Sequence, residues 1–175
     1  MESIQYPTGK FAAKGAPLTS DERRALIARI RALPGEARAA VRGLTDAQLD
    51  TPYRDGGWSA RQIVHHLADS HANAFVRFKL ALTEDAPTVK TYQQDRWAVL
   101  ADVQGVPVEA SLSILDGLHE RWSRLLESMA GEDFARGVRH PEMGDIELDF
   151  LLQMYGWHGR HHVTQVTALR AREGW

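Results

Sequence analysis

The stretch Gly56-Gly57-Trp58-Ser59-Ala60-Arg61-Gln62-Ile63 carries the strongest local signal in the chain. Ser59 and Gln62 stand at the spacing where an N-cap hydroxyl and an N3 amide satisfy each other's free backbone donors. Trp58 and Ile63 fall at the flanking positions whose apolar side chains staple such a start. A helix is therefore predicted from Ser59 to about Thr83, ahead of Pro87.

Working outward, Thr19 and Glu22 repeat the capping spacing, and Asp21 and Glu22 suit the positive end of a helix. That helix runs through Leu26, Ile30 and Leu33. Pro34-Gly35 is expected to break or kink it, because proline lacks an amide and clashes with the preceding turn. The pattern resumes to about Arg42, with Gly43 as its stop, and Thr45 with Gln48 marks a short helical turn before Pro52. Residues 1–18, with Pro7, Gly9, Gly15 and Pro17, read as an irregular lead-in.

Downstream, a looser stretch holding Tyr92 and Trp97 leads to Gly105, and Pro107 suits the first turn of a third helix. Leu112, Leu115, His119, Trp122, Leu126 and Met129 give that helix spacings of three and four. Residues 139–147 read as a turn or short hairpin, and a last helix runs from about Leu148 to Ala171. Four substantial helices, no long alternating strand pattern and no internal repeat predict an all-α bundle in one domain, residues 1–175.

Composition narrows the function classes. A net charge of -2 gives no electrostatic footing for nucleic acid. The absence of cysteine excludes disulfides, thiolate ligands and a cysteine nucleophile, so any metal site must use histidine, carboxylate or backbone oxygen. The start Met-Glu-Ser-Ile-Gln-Tyr-Pro lacks the basic and apolar regions of a signal peptide, and no apolar run is long enough for a membrane span. The expectation is a soluble, cytoplasmic protein.

Eight histidines decide where to look next. In the last helix, Leu151, Tyr155, His158, His162, Val166 and Leu169 share one stripe at about 100° per residue. His158 and His162 thus sit one turn apart on the core face, the spacing at which two imidazoles meet one ion. A pair of core histidines satisfied by hydrogen bonds is the plainer account, but two buried lone pairs side by side are costly unless something between them uses both. His161 lies off the stripe, and Arg160 reads as a solvated rim charge.

The 59–83 helix is less decisive. His71 lies on its apolar stripe, His66 at the edge and His65 away from it, and Ser70, Asn73 and Arg77 share the His66 edge like a cavity wall. On these grounds His66 and His71 rank equally as a third ligand. His119 reads first as a core histidine and then as a pocket residue, and His140, before Pro141, as a surface residue.

The run Gly57-Trp58-Ser59 … His66-Leu67, followed by His158-Gly159-Arg160-His161-His162 and Gln165, resembles the DinB/YfiT-like superfamily of metal-binding four-helix bundles. Tyr6-Pro7-Thr8-Gly9, Gly43 to Tyr53, Arg77 to Leu82 and His140-Pro141-Glu142 extend the similarity to its YfiT branch over nearly the whole chain. The resemblance implies an up-down-down-up bundle and commonly a homodimer. It also implies one divalent transition metal per chain, zinc or nickel, held by His66, His158 and His162, which breaks the tie against His71.

Branch members are generally labelled metal-dependent hydrolases, which implies a small-molecule substrate. Other members of the superfamily transfer a low-molecular-weight thiol, bacillithiol-like, to an electrophile. A non-catalytic metal-binding helical module is the third reading.

Three neutral imidazoles would leave the ion's charge uncompensated and one position open, the pattern of catalytic zinc. That first shell suits either a water or a thiolate. In H-E-x-x-H proteases the residue after the first histidine is the base; here it is Gly159. The base is thus not given by the helix, and Asp69, Glu142 and His71 are candidates, with Asp69 and Gln165 equally placed to orient a ligand.

Overall fold

The computed structural model describes residues 2–15 and 17–175, without the side chains of residues 2 and 3. Its elements are the short α1 (Glu2–Gln5), α2 (Ser20–Val41), the single turn α3 (Asp46–Leu49), α4 (Ala60–Thr83), the turn α5 (Gln94–Trp97) and α6 (Val108–Ser128). A 3₁₀ turn (Gly131–Ala135), the hairpin β1 (Gly137–His140) and β2 (Gly144–Glu147), and α7 (Leu148–Glu173) follow. The capping boxes Thr19/Glu22, Thr45/Gln48 and Ser59/Gln62 all form as their spacing predicts. None of the described helices is long and apolar enough to cross a membrane.

The four long helices make a bundle whose directions follow from their cross-contacts. Leu26 meets Gly156 and Leu33 meets Gly159, so α2 and α7 run parallel. His65 bonds Ser111 and His71 bonds His119, so α4 and α6 run parallel as well. Arg31 pairs with Glu127 and Arg38 with Asp116, which sets α2 against α6. The order is up-down-down-up. Two parallel neighbours, α4 and α6, require a link that returns along the bundle, and residues 84–107 supply it.

Three expectations are overturned. Helix α2 does not stop at Pro34; it runs through it, with Pro34 buried inside. The local cost of proline is real, and its compensation comes from another helix, as described below. His65 and His140, expected to face outward, are also buried, at 4% and 7% exposure. His65 is covered by α6 and the preceding loop, bonding Ser111 and the Val106 carbonyl. His140 ends β1 beside the point where Thr88 and Val89 pair with Arg139, and its Nδ1 accepts from the Glu142 and Met143 amides of the turn.

The apolar core divides into two clusters. One gathers Ile27, Ile30, Phe78, Trp122, Leu126 and Leu151; the other gathers Leu33, Ile63, Leu67, Leu115, Val166 and Leu169. On every long helix the division falls at the level of the inward histidines or of Pro34. The bundle therefore carries a polar layer across its middle.

At one end, the first turn of α7 places Asp149 in the core at 1% exposure. It accepts from Arg23 Nε at 2.8 Å, from Arg23 Nη2 at 2.7 Å and from the Leu18 amide at 2.9 Å. Removing one member of a buried pair leaves the other charge without a partner. Asp149→Ala is thus expected to cost about 3 kcal/mol. That lowers the calorimetric midpoint by about 6–12 °C for a chain of this size. A shift within about a degree would show that the pair does not hold these helix ends together.

Candidate metal centre

The polar layer begins with His66, His158 and His162, one donor nitrogen from each lying within 4.8 Å of the others. His66 Nε2 and His158 Nε2 are 3.2 Å apart. The ring of His162 stands edge-on to both, with centroids 5.0 Å from His66 and 4.6 Å from His158. Trp58, placed by the capping box of α4, covers the group, its ring centroid 4.5 Å from that of His66.

The hydrogen bonds settle which nitrogen is free on His162 and on His158. Gln165 donates from Nε2 to the Gln5 carbonyl at 3.0 Å, which turns its Oε1 toward His162. His162 Nδ1–H then donates to that oxygen at 2.8 Å, and its Nε2 keeps a bare lone pair.

His158 is fixed by a longer chain. The Ile30 carbonyl only accepts, so His119 Nδ1–H donates to it, at 2.5 Å. A neutral His119 must then accept at Nε2 from His71 Nδ1–H, at 3.0 Å. His71 in turn accepts at Nε2 from His158 Nδ1–H, at 3.2 Å. Each assignment follows from the previous one once the rings are neutral. Neutrality has a clear cause: burial lowers the pKa of His119 and holds those of His71, His158 and His162 well below the usual range. Neighbouring imidazoles add to this: His119, His66 and His162 lower His71, His162, His66, His71 and His161 lower His158, and His66 and His161 lower His162. Burial alone lowers His66 to about 4.

The anchor of this chain explains Pro34. An amide at position 34 would have bonded the carbonyl four residues back, and that carbonyl is Ile30. Proline frees it, and His119 takes it. The proline that should have broken α2 instead provides a buried acceptor pointing into the bundle. This carbonyl is the one participant the histidine pattern could not supply, and the signal for it was the missing amide at Pro34.

Of the remaining candidates, His71 and Gln165 touch the three histidines, through His158 and His162 respectively. Asp69 does not: its side chain is half-buried, and its carboxyl is pushed up by burial and by Asp102. Glu142 is exposed in the hairpin turn, where its amide donates to His140. His161 bonds Gln165 and stacks on Trp157. Arg160 is exposed, as expected. A Cβ at Gly159 would lie 2.6 Å from Leu33, so this position packs on α2 and has no room for the glutamate of an H-E-x-x-H helix.

The donor set fits a metal. Three neutral imidazoles bring a nitrogen each to one place, and the second nitrogens of His158 and His162 are already committed. His158 also lines two cavities, of about 320 Å³ beside Trp58 and about 660 Å³ beside Tyr155. The centre is therefore reachable.

The profile of the DinB superfamily matches residues 21–166. A protein of Geobacillus kaustophilus is 51% identical over 177 residues, covering 100% of this chain and 98% of that one. The chain belongs to the DinB superfamily. A second DinB-like relative, from Bacillus cereus, is 47% identical over 175 residues, covering both chains fully at 100%. Both relatives bear the provisional name of metal-dependent hydrolase. Among solved structures, YfiT from Bacillus subtilis superposes with a TM-score of 0.95 at 40% identity, covering 99% of each chain. It is described, provisionally, as a metal-dependent hydrolase with an unusual four-helix bundle topology. TT2238, described as a four-helix bundle protein, shares the fold alone, at 18% identity and a TM-score of 0.56 over 87% of this chain and 99% of that one.

Proposed function

We propose that this chain is a metal-dependent hydrolase of a small molecule, its residues 1–175 forming one domain in which His66, His158 and His162 hold a single zinc or nickel ion. The carrying observation is that three neutral imidazoles turn free nitrogens toward one another while His71 and Gln165 occupy the far nitrogens of His158 and His162. A set of imidazoles without carboxylate suits zinc or nickel over magnesium or calcium. The provisional names of relatives at 51% and 47% identity point the same way.

When bound, such an ion supplies Lewis acidity and lowers the pKa of whatever water or thiol reaches its open position. The chain's own residues prepare that position. Gln165 and His71 fix the tautomers of His162 and His158, so both present unprotonated nitrogens without rearrangement. Trp58 shields the His66 side from bulk water. Ser70, Tyr92 and Tyr155 line the larger cavity and offer hydroxyls to a polar substrate.

A second reading, transfer of a low-molecular-weight thiol to an electrophile, is favoured by one observation. Among the described residues, no carboxylate hydrogen-bonds to the three histidines, so no base is built against them. A thiol is acidified by the ion alone and needs less help than water.

The test is metal analysis of protein purified without an affinity tag, followed by two assays. About one zinc or nickel per chain is expected. p-Nitrophenyl acetate hydrolysis should be abolished by a chelator and restored by the metal. Consumption of chlorodinitrobenzene that requires an added thiol, with no ester hydrolysis, would move the function to thiol transfer. Protein that holds no metal even after it is added back overturns both readings.

A further inference from the structure

Two arginines of the described chain are more than nine-tenths buried, Arg61 at 3% and Arg77 at 7% exposure. They are treated very differently. Arg61 bonds Asp50 at 2.6 Å, Asp46 at 2.7 Å and the Val106 carbonyl at 2.9 Å. Arg23, largely buried beside them in kind, has Asp149. Arg77 has no carboxylate within ion-pair distance among the described residues. Its guanidinium donates from Nη2 to the Lys90 carbonyl, at 3.1 Å, and hydrogen-bonds the Tyr155 hydroxyl. That leaves most of a guanidinium's donors unspent, and none of its nitrogens is sealed away from the adjoining cavity without a partner.

The cavity in question measures about 660 Å³ and is lined by Arg77 and by His158 together, with Ser70, Tyr92, Tyr155 and His140 between and around them. A buried cation without an anion is costly, and a protein that gives its other buried arginines carboxylates has left this one open toward a cavity. We propose that Arg77 anchors a carboxylate group of the substrate, placing the rest of the molecule along the cavity toward His158. The proposal names the substrate class of the hydrolase reading and rests on that reading for the reacting end.

The surroundings favour a singly charged carboxylate over a phosphate dianion. Among the described residues lining the cavity Arg77 is the one buried guanidinium, and the other inner donors are neutral hydroxyls and the His140 imidazole, whose pKa burial lowers. Burial raises Tyr92 to about 12 and raises Tyr155 too, so both phenols keep their protons and donate. The rim carries Arg96 but also Asp95 and Glu142, which oppose a second negative charge. A planar guanidinium matches a carboxylate with two parallel bonds. The volume lies in the range of small-molecule sites, about 300–1,000 Å³.

The probes are benzoate, phenyl phosphate and neutral benzamide, titrated into the protein as purified and again with zinc at saturation. Binding is read from the Nε–H resonance of Arg77 in ¹⁵N-edited spectra, which reports contact at the guanidinium and not coordination at the histidines. Benzoate is expected to saturate that signal with or without added zinc, with benzamide inert and phenyl phosphate weaker. Arg77→Gln should weaken benzoate at least about tenfold, and Arg77→Lys, which keeps the charge without the fork, by less. If Arg77→Gln fails to fold, the wild-type resonance and Arg77→Lys decide the matter. Benzoate that leaves the Arg77 signal unmoved, or that binds Arg77→Gln equally well, overturns the proposal. Phenyl phosphate binding more tightly than benzoate overturns the carboxylate assignment. A protein that binds benzoate at Arg77 but takes up no zinc when it is added overturns the metal reading and leaves this one standing.

Discussion

His158→Ala is expected to empty the metal centre: bound metal should fall from about one ion per chain to background after dialysis, with the helical circular dichroism intact. Tetrahedral zinc sites carry apparent binding energies of about 10–16 kcal/mol, so one ligand accounts for about 3 kcal/mol and its loss weakens binding at least about a hundredfold. Of the three proposed ligands His158 has the most to lose, since its two nitrogens face His66 and His71 and its ring touches both. The fold should survive, because the apolar clusters on either side of the histidine layer do not depend on this ring. Ester hydrolysis should disappear with the metal. His65→Ala is the matched control: its ring is tied to Ser111 and Val106 and joins no ligand group, so metal content should stay at the wild-type level. Stoichiometric metal in His158→Ala would sink the three-histidine site.

The sequence announces what is local. Each capping box pairs residues three apart, and the chain makes those contacts whatever surrounds it. His158 and His162 are legible for the same reason: one turn of one helix fixes their relation. His66 and His71 are not, because they sit five residues apart and about 140° around α4. Which of them meets α7 depends on where that helix lies. The structure in fact uses both, His66 facing His158 Nε2 and His71 facing its Nδ1. The periodic stripe identified His71 as inward but could not tell a ligand from the residue that orients one.

Long-range effects account for the other differences. Pro34 obeys the local rule by leaving Ile30 without its amide, yet the helix continues, because His119 from α6 satisfies the carbonyl. His65 looks outward on its own helix and is buried only because α6 and Val106 cover it. Arg77 is visible as a residue on the His66 edge, but that it lacks an acidic partner is a property of its whole neighbourhood. Gly159 reads in one dimension as a departure from a protease motif and in three as the point where α7 touches Leu33.

That chain gives the second large effect. His71→Phe keeps an aromatic ring, somewhat larger, but removes both an acceptor for His158 Nδ1–H and the donor to His119 Nε2. His71 is wholly buried at 0% exposure, so water cannot easily replace either bond. Each buried group left without a partner costs about 1–3 kcal/mol. Part of that cost falls on the orientation and basicity of His158. Loss of such a partner lowers metal affinity about 10–100-fold. The expected result is therefore intermediate: metal still bound at high free concentration, but released by a competing chelator that the wild type resists. His119→Phe breaks the same chain one bond further from His158 and leaves the Ile30 carbonyl without a donor. It should cost stability of the same order while weakening metal binding less than His71→Phe does. This ordering separates a positioning chain from a merely packed one, in which both variants would lose stability and neither would change the affinity. It also separates His71 from a ligand, for a His71→Phe protein as empty as His158→Ala would place His71 on the ion itself.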